Sequence, residues 1–253
     1  MTNNYQLPIL MYHRVVKKRN DSGIHNIFIL ERKLRRQFNY LKKNNFNTIT
    51  FRDLPKLKPE QKQKNVILTF DDGYADNYSL LFPLLKEYGF TAVVFLVTRE
   101  KINTWGIKEG EPCIPLLTEV QIKEMDAYGI EFGAHTCTHP HLFELSGEEA
   151  KYEITDCKKD LEVLLGKPVI SFAYPFGEVN EGFKKTVADT GYRYALATFS
   201  GPYAMEEDLL QIRRIEVPSQ TLLVTFKRKV GGYYFKPSIL NHIPIPNRFK
   251  GYF

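Results

Sequence analysis

The chain has 253 residues and 43% hydrophobic content, enough for one large α/β domain or two small ones. No apolar run reaches the roughly 18 residues that cross a bilayer, and Cys113, Cys137 and Cys157, with no C-x-x-C pair, speak against a disulfide framework and for a reducing compartment. The net charge of +6 is split into basic ends (15 Lys/Arg against 4 Asp/Glu in residues 1–64, 6 against none in 217–253) around an acidic middle, with no nucleic-acid reader motif attached to it.

Along the chain, β-prone runs alternate with amphipathic ones. "LPILMYH" (7–13) reads as a strand, and 31–45 as a helix with Leu34, Phe38 and Leu41 on one face. Strands are expected at 46–51, 65–70 and 91–97, with a helix at 78–89 closed by Gly89. Thr118 with Gln121, and Ser146 with Glu149, are capping boxes that open two further helices. Strands at 130–135, 169–175, 192–198 and 211–217, with a helix near 180–190, complete the series. Apolar strands joined by helices imply a parallel sheet covered on both faces. The count points to a distorted α/β barrel of about seven parallel strands in one domain spanning 1–253, in which 218–253 form a basic, aromatic helix and tail.

In such a barrel the chemistry collects at the C-terminal strand ends. These ends carry His13, Asp71–Asp72, His135, "YPFG" and Arg213–Arg214. Adjacent carboxylates repel, and a divalent cation resolves the repulsion. His135 and His139 are four apart, so a helical turn would aim both imidazoles one way, and two His with one carboxylate form a recurring ligand set for a catalytic metal. Cys137 between them reads as packing. Trp105, in the long segment between Val97 and Thr118, either stacks on a ligand or packs.

"TFDDG" (69–73) and "HTCTH" (135–139) resemble, in order and separation, the first two motifs of the polysaccharide deacetylases with a NodB homology domain (carbohydrate esterase family 4). The likeness runs from "LMYHRV" to "RRIEV". It implies that Asp71 is the general base and that Asp72, His135 and His139 hold the metal, with zinc expected and cobalt, nickel or manganese as alternatives. A water acidified at the metal then attacks an acetamide carbonyl. The resemblance also places the "YPFG" residues Tyr174 and Phe176 against substrate, the Phe176 N–H helping to hold the oxyanion.

Two departures stand out. The family's third motif carries Arg where this chain has Ala173, so Asp71 needs another partner, and Arg213 and Arg214 are candidates, Arg214 resembling the Arg of members that have "FAYP". The late His that serves as general acid is also missing, since His242 lies in a Pro-rich tail. His13 is the replacement, as in members resembling the poly-N-acetylglucosamine deacetylases, with His141 as competitor and His25 a weaker one.

The resulting expectation is a metal-dependent hydrolase that removes the N-acetyl group of an amino sugar in a polysaccharide, nascent glycan or lipid-linked sugar. The rivals are a degenerate carbohydrate-binding protein and a deformylase or amidase acting on another C–N bond. No basic, apolar leader follows Met1, so a cytoplasmic location is expected. The six basic groups and seven Phe/Tyr of 217–253 point to peripheral contact with the anionic inner membrane face.

Overall fold

In a computed structural model of the chain, residues 6–21, 23–57, 64–200, 203–204 and 208–231 are described. Besides a two-residue antiparallel pair, Gln6–Leu7 with Tyr203–Ala204, the strands are β1 (Ile9–Tyr12), β2 (Arg14–Val16), β3 (Phe28–Leu30), β4 (Phe46–Thr48), β5 (Lys64–Phe70), β6 (Val93–Leu96), β7 (Glu131–Ala134), β8 (Ser171–Ala173), β9 (Tyr194–Ser200) and β10 (Ile212–Glu216). The helices are α1 (Glu31–Lys43), α2 (Phe82–Tyr88), α3 (Thr104–Lys108), α4 (Glu119–Tyr128), α5 (Gly147–Leu165), α6 (Glu181–Asp189) and α7 (Leu223–Val230).

Seven strands pair in the order β1-β10-β9-β8-β7-β6-β5, all parallel, and β5 returns to β1 with Ile9 opposite Ile67 and Tyr12 opposite Phe70, closing the barrel. β4 pairs outside this ring with the start of β5, and β2 pairs separately with β3.

Strand alternation sorts the core into two layers. Ile9, Ile67, Val93, Phe95, Ala173, Leu196 and Ile212 point into the barrel. Their neighbours Leu10, Leu68, Phe70, Val94, Phe132, Phe172 and Ile215 point outward under the helices, against Leu34, Phe38 and Leu41 of α1 and Ile154 and Leu161 of α5. Because both faces of each strand are covered, the strands read as continuous apolar runs.

The expected elements form with three differences. β4 stops at Thr48, because Thr50 and Asp53 make a capping box that starts a 3₁₀ turn at Phe51. That turn drives Phe51 and Leu54 into the base of the barrel, where Phe51 stacks on Tyr194. The helix expected from residue 78 opens as a π turn over Asn77–Leu81, since Pro83 has no N–H to continue the α-ladder. The third difference is the 169–175 run, whose strand closes at Ala173 and gives way to the Pro175–Gly177 turn.

Both expected capping boxes are present, Thr118 with Gln121 on α4 and Ser146 with Glu149 on α5. The expected C-terminal helix is α7, which buries Phe226 against Tyr40 of α1. The rest of the expected tail, residues 232–253, lies outside the described residues.

Candidate active site

The site is built from the strand ends upward. On β5, Thr69 faces inward and donates to the Leu10 carbonyl at 2.9 Å. Asp71, two residues on, keeps that inward direction and is buried. Arg214 alternates inward with Ile212 on β10, whereas Arg213 faces out and is exposed. The Arg214 guanidinium grips Asp71 bidentately, Nη1 to Oδ1 and Nη2 to Oδ2, each at 2.7 Å. Arg214 is wholly buried, donates through Nε to the Ala197 carbonyl and lies over the Phe95 ring. Ala173 is small and faces the same interior, which the arginine enters from β10 instead of β8. Burial alone would raise the Asp71 pKa; the Arg214 charge and hydrogen bonds outweigh it and hold the carboxyl below its ordinary range.

The chain leaves β5 through two successive left-handed residues, Asp72 at φ 71° and Gly73 at φ 72°. The positive φ favours glycine at residue 73, and a Cβ there would also have to displace the tip of the Leu96 side chain, 2.5 Å away. This turn separates the neighbouring carboxylates. Asp72 Oδ1 lies 3.3 Å from His135 Nε2 and 3.4 Å from His139 Nε2, and the three groups are buried.

The Ala173 carbonyl, 2.7 Å from His135 Nδ1, takes that nitrogen's proton as its hydrogen bond. In neutral His135 the Nε2 lone pair therefore confronts a carboxylate oxygen, and something positive must stand between them. A proton is one answer. Burial pushes the His135 pKa down, yet the close approach of the Asp72 carboxylate and the Asp71 and Asp72 charges prevail and raise it. A metal cation is the other. The Asp72 oxygen makes no hydrogen bond, and the three donor atoms lie within 4.8 Å of one another, so the residues fit a divalent ion. His139 stays on the neutral side, since burial lowers its pKa more than Asp72 raises it.

His135–His139 is not the helical turn that the spacing suggests. Thr136 at φ 65° and His139 at φ 60° reverse the chain in a loop, closed by His139 N–H donating to Thr136 Oγ1 at 3.0 Å. Among the described residues, four of the five non-glycine positive-φ positions are Asp72, Thr136, His139 and Phe176, so backbone strain is concentrated at this site.

Aromatic rings wall it in. Trp105 of α3 stacks on His139 at 4.5 Å, so it packs against the candidate ion site, whatever it offers a substrate. Phe176 meets His139 edge-on and stacks on His141 at 3.8 Å. His141 is drawn toward Glu178, 2.8 Å from its Nδ1. His13 lies at the mouth with Nε2 3.9 Å from Asp71 Oδ2. His25 lies away from this set, paired with Glu109.

Tyr174 is a correction. Its side chain alternates outward with Phe172, is fully buried, and donates its hydroxyl to the Leu210 carbonyl at 3.0 Å, so it does not face substrate. Phe176, by contrast, is 41% exposed beside the ligands.

Sequence reasoning passed over Asp76 and Asn77. Asn77 Nδ2 donates to the His13 carbonyl, and Asp76 accepts from Val15 N–H and from Arg14 Nε, so the segment after the paired acids fastens the strand that presents His13. Two polar residues within one turn of "DDG" were the available signal.

Comparison with known proteins agrees with this geometry. Residues 58–195 match the family model described as polysaccharide deacetylase. Bacillus subtilis YxkH, named as a polysaccharide deacetylase, is 30% identical over 215 residues, 84% of this chain and 71% of that one. The poly-beta-1,6-N-acetyl-D-glucosamine N-deacetylase of Staphylococcus epidermidis is 27% identical, over 86% of this chain and 81% of that one. The Streptococcus pyogenes deacetylase PplD, solved in complex with acetate, superposes with a TM-score of 0.78 at 26% identity, covering 90% of this chain and 99% of that one. With the family model matched over more than half of its length, the chain belongs to the polysaccharide deacetylase family.

Proposed function

We propose that this enzyme hydrolyses the N-acetyl group of an amino sugar within a glycan, releasing acetate and a free amine. The observation that carries the reading is the division of two neighbouring buried acids. Asp71 is clamped by an arginine, and Asp72 faces two imidazoles. Asp72, His135 and His139 would hold a divalent ion, for which zinc is our assignment, and when bound it would supply Lewis-acid polarisation of the scissile carbonyl and acidify a water.

The remaining steps belong to the chain. Asp71, kept ionised and oriented by Arg214, takes a proton from the water. The Phe176 N–H, presented by its left-handed backbone, donates to the developing oxyanion. His13, beside Asp71, delivers a proton to the departing nitrogen. The degenerate-site reading loses its main motive, since Arg214 does for Asp71 what an arginine at residue 173 would do.

The test is acetate release from a panel of N-acetylated oligosaccharides, cell-wall glycans and lipid-linked sugars, before and after chelation. Activity is expected to disappear on chelation and return with Zn²⁺ or Co²⁺. His135→Ala and His139→Ala are expected to lose the ion and more than about 100-fold of activity, exceeding the loss typical of residues one step removed from a metal. Full metal content and acetate release in either variant would refute the ligand assignment, and formate or another acid in place of acetate would refute the substrate class.

Peripheral contact with an anionic membrane, at its cytoplasmic face, is part of the same reading. Support comes from α7 and its cap, where Leu222, Leu223 and Val224 are exposed ahead of Lys227 and Arg228. Among the described residues no helix is long and apolar enough to cross a membrane. Each basic residue near such a surface contributes about 1 kcal/mol. The protein is therefore expected to co-sediment with phosphatidylglycerol vesicles at low salt, less at high salt, and several-fold less as Lys227→Glu/Arg228→Glu. Equal partitioning into neutral vesicles would sink the proposal.

A further inference from the structure

The loop that carries both histidine ligands owes its shape to a residue that touches neither metal site nor substrate. Thr136 is β-branched and His139 is a ligand, yet both hold left-handed backbone angles that such residues adopt only under constraint. The constraint comes from α5. Glu153, on the buried face of that helix with Ala150, Ile154 and Cys157, is 7% exposed. Its carboxylate faces the residues between the two histidines. Oε2 accepts from Cys137 N–H at 2.8 Å and Thr138 N–H at 3.0 Å, and Oε1 accepts from the Thr138 hydroxyl at 2.8 Å.

The far side of the loop is held from the same helix at one remove. Arg99 N–H donates to the Cys137 carbonyl, and Thr98 N–H to that of Thr136. Arg99 is in turn bound by Asp156 and Asp160 of α5, and Thr98 by Asp160. Glu153 is the member of this stripe that bonds the ligand loop directly.

We propose that Glu153 is the positioning residue of the ion-binding loop, holding His135 and His139 converged on Asp72 and thereby setting the affinity for the ion. This rests on the reading that Asp72, His135 and His139 bind a divalent cation. A carboxylate suits this place because both its oxygens accept, Oε2 from the Cys137 and Thr138 N–H groups and Oε1 from the Thr138 hydroxyl. A Gln amide can keep the arrangement, its oxygen accepting from the two N–H groups and its NH₂ donating to the Thr138 hydroxyl, whereas Met or Ala removes both acceptors and frees the loop.

The experiment titrates metal-free protein with Zn²⁺ against a chromophoric chelator and records the visible spectrum of the Co²⁺ form. Residues that orient metal ligands typically affect affinity by 10- to 100-fold. Glu153→Met and Glu153→Ala are each expected to weaken Zn²⁺ binding about 10- to 100-fold, with an altered Co²⁺ spectrum, and Glu153→Gln to restore the wild-type values. Activity of Glu153→Met should recover at excess Zn²⁺, because the residue takes no part in the chemistry. Glu149→Ala, which removes one half of the α5 capping box without touching the loop, is expected to lower the melting temperature and leave affinity unchanged. If Glu153→Ala fails to fold, Glu153→Met carries the comparison. Wild-type affinity in Glu153→Met, or a change confined to melting temperature as in Glu149→Ala, would overturn the proposal while leaving the metal site standing. A wild-type protein that binds Zn²⁺ no better than His139→Ala would overturn both.

Discussion

Asp71→Asn is expected to keep the ion and lose turnover by about 10²- to 10⁴-fold, the range for removing a general base. At 1.36 kcal/mol per tenfold this is about 3 to 5 kcal/mol of barrier. The substitution is nearly isosteric and leaves Asp72, His135 and His139 in place, so metal content separates loss of the base from loss of the site. It also strips Arg214, which is wholly buried, of its counter-charge. Breaking a buried pair from one side costs about 3–5 kcal/mol of stability. Adding Arg214→Met removes the orphaned charge, so the double variant should regain stability and stay inactive. Steady-state acetate release and denaturant unfolding read the two effects separately. Wild-type turnover in Asp71→Asn would assign the proton transfer to another group.

The same pair fixes a pH dependence. An unfolded Asp titrates near ~3.9, and the folded Asp71 lies lower. An acid whose pKa is depressed by folding stabilises the native state above its unfolded value, and the gain disappears as pH falls through the folded value. The stability difference between wild type and Asp71→Asn should therefore be constant above about pH 5 and shrink as the medium is acidified below ~4.

Much of this arrangement is legible in the sequence because the barrel strands are covered on both sides and so read as unbroken apolar runs ending in polar groups. The choice between Arg213 and Arg214 was not: alternation puts them on opposite faces, but both faces are apolar, and only the structure shows that Ile215 and Val217 lie in the outer layer, so that Arg214 faces in with Ile212. The same rule corrects Tyr174, which shares the outward face of Phe172.

What spacing did not convey is backbone sign. A four-residue separation of histidines fits a helical turn and a left-handed loop equally, and the loop forms because the helix that follows it, α5, lies back against it and bonds to it. Glu153 left one trace, a carboxylate in the apolar stripe Ala150–Ile154–Cys157, which is costly unless donors meet it. The donors, Cys137 and Thr138, lie 16 and 15 residues upstream in the loop that leads into α5, and spacing alone does not show that the helix folds back onto that loop.

The second large effect is expected at His13. Hydrolysis leaves an amine that must be protonated as the C–N bond breaks, and imidazole is the side chain suited to holding and giving up a proton near neutral pH. Two histidines outside the ligand set stand near the site. His141 spends Nδ1 on Glu178, lies flat against Phe176 and is 40% exposed at its side chain. His13 presents Nε2 to the Asp71 carboxylate at 3.9 Å, is half as exposed, and is held through its own carbonyl by Asn77. Asp71, having taken a proton from water, would thus neighbour the group that gives one to nitrogen. His13→Ala is expected to lower kcat by about 10²- to 10⁴-fold with the ion bound and the fold intact. His141→Ala should cost about tenfold or less, through the loosened Phe176 stack. A small loss in His13→Ala beside a large one in His141→Ala would transfer the role to His141, and Asn77→Ala, which frees the His13 carbonyl without removing the imidazole, should fall between wild type and His13→Ala if His13 is the acid.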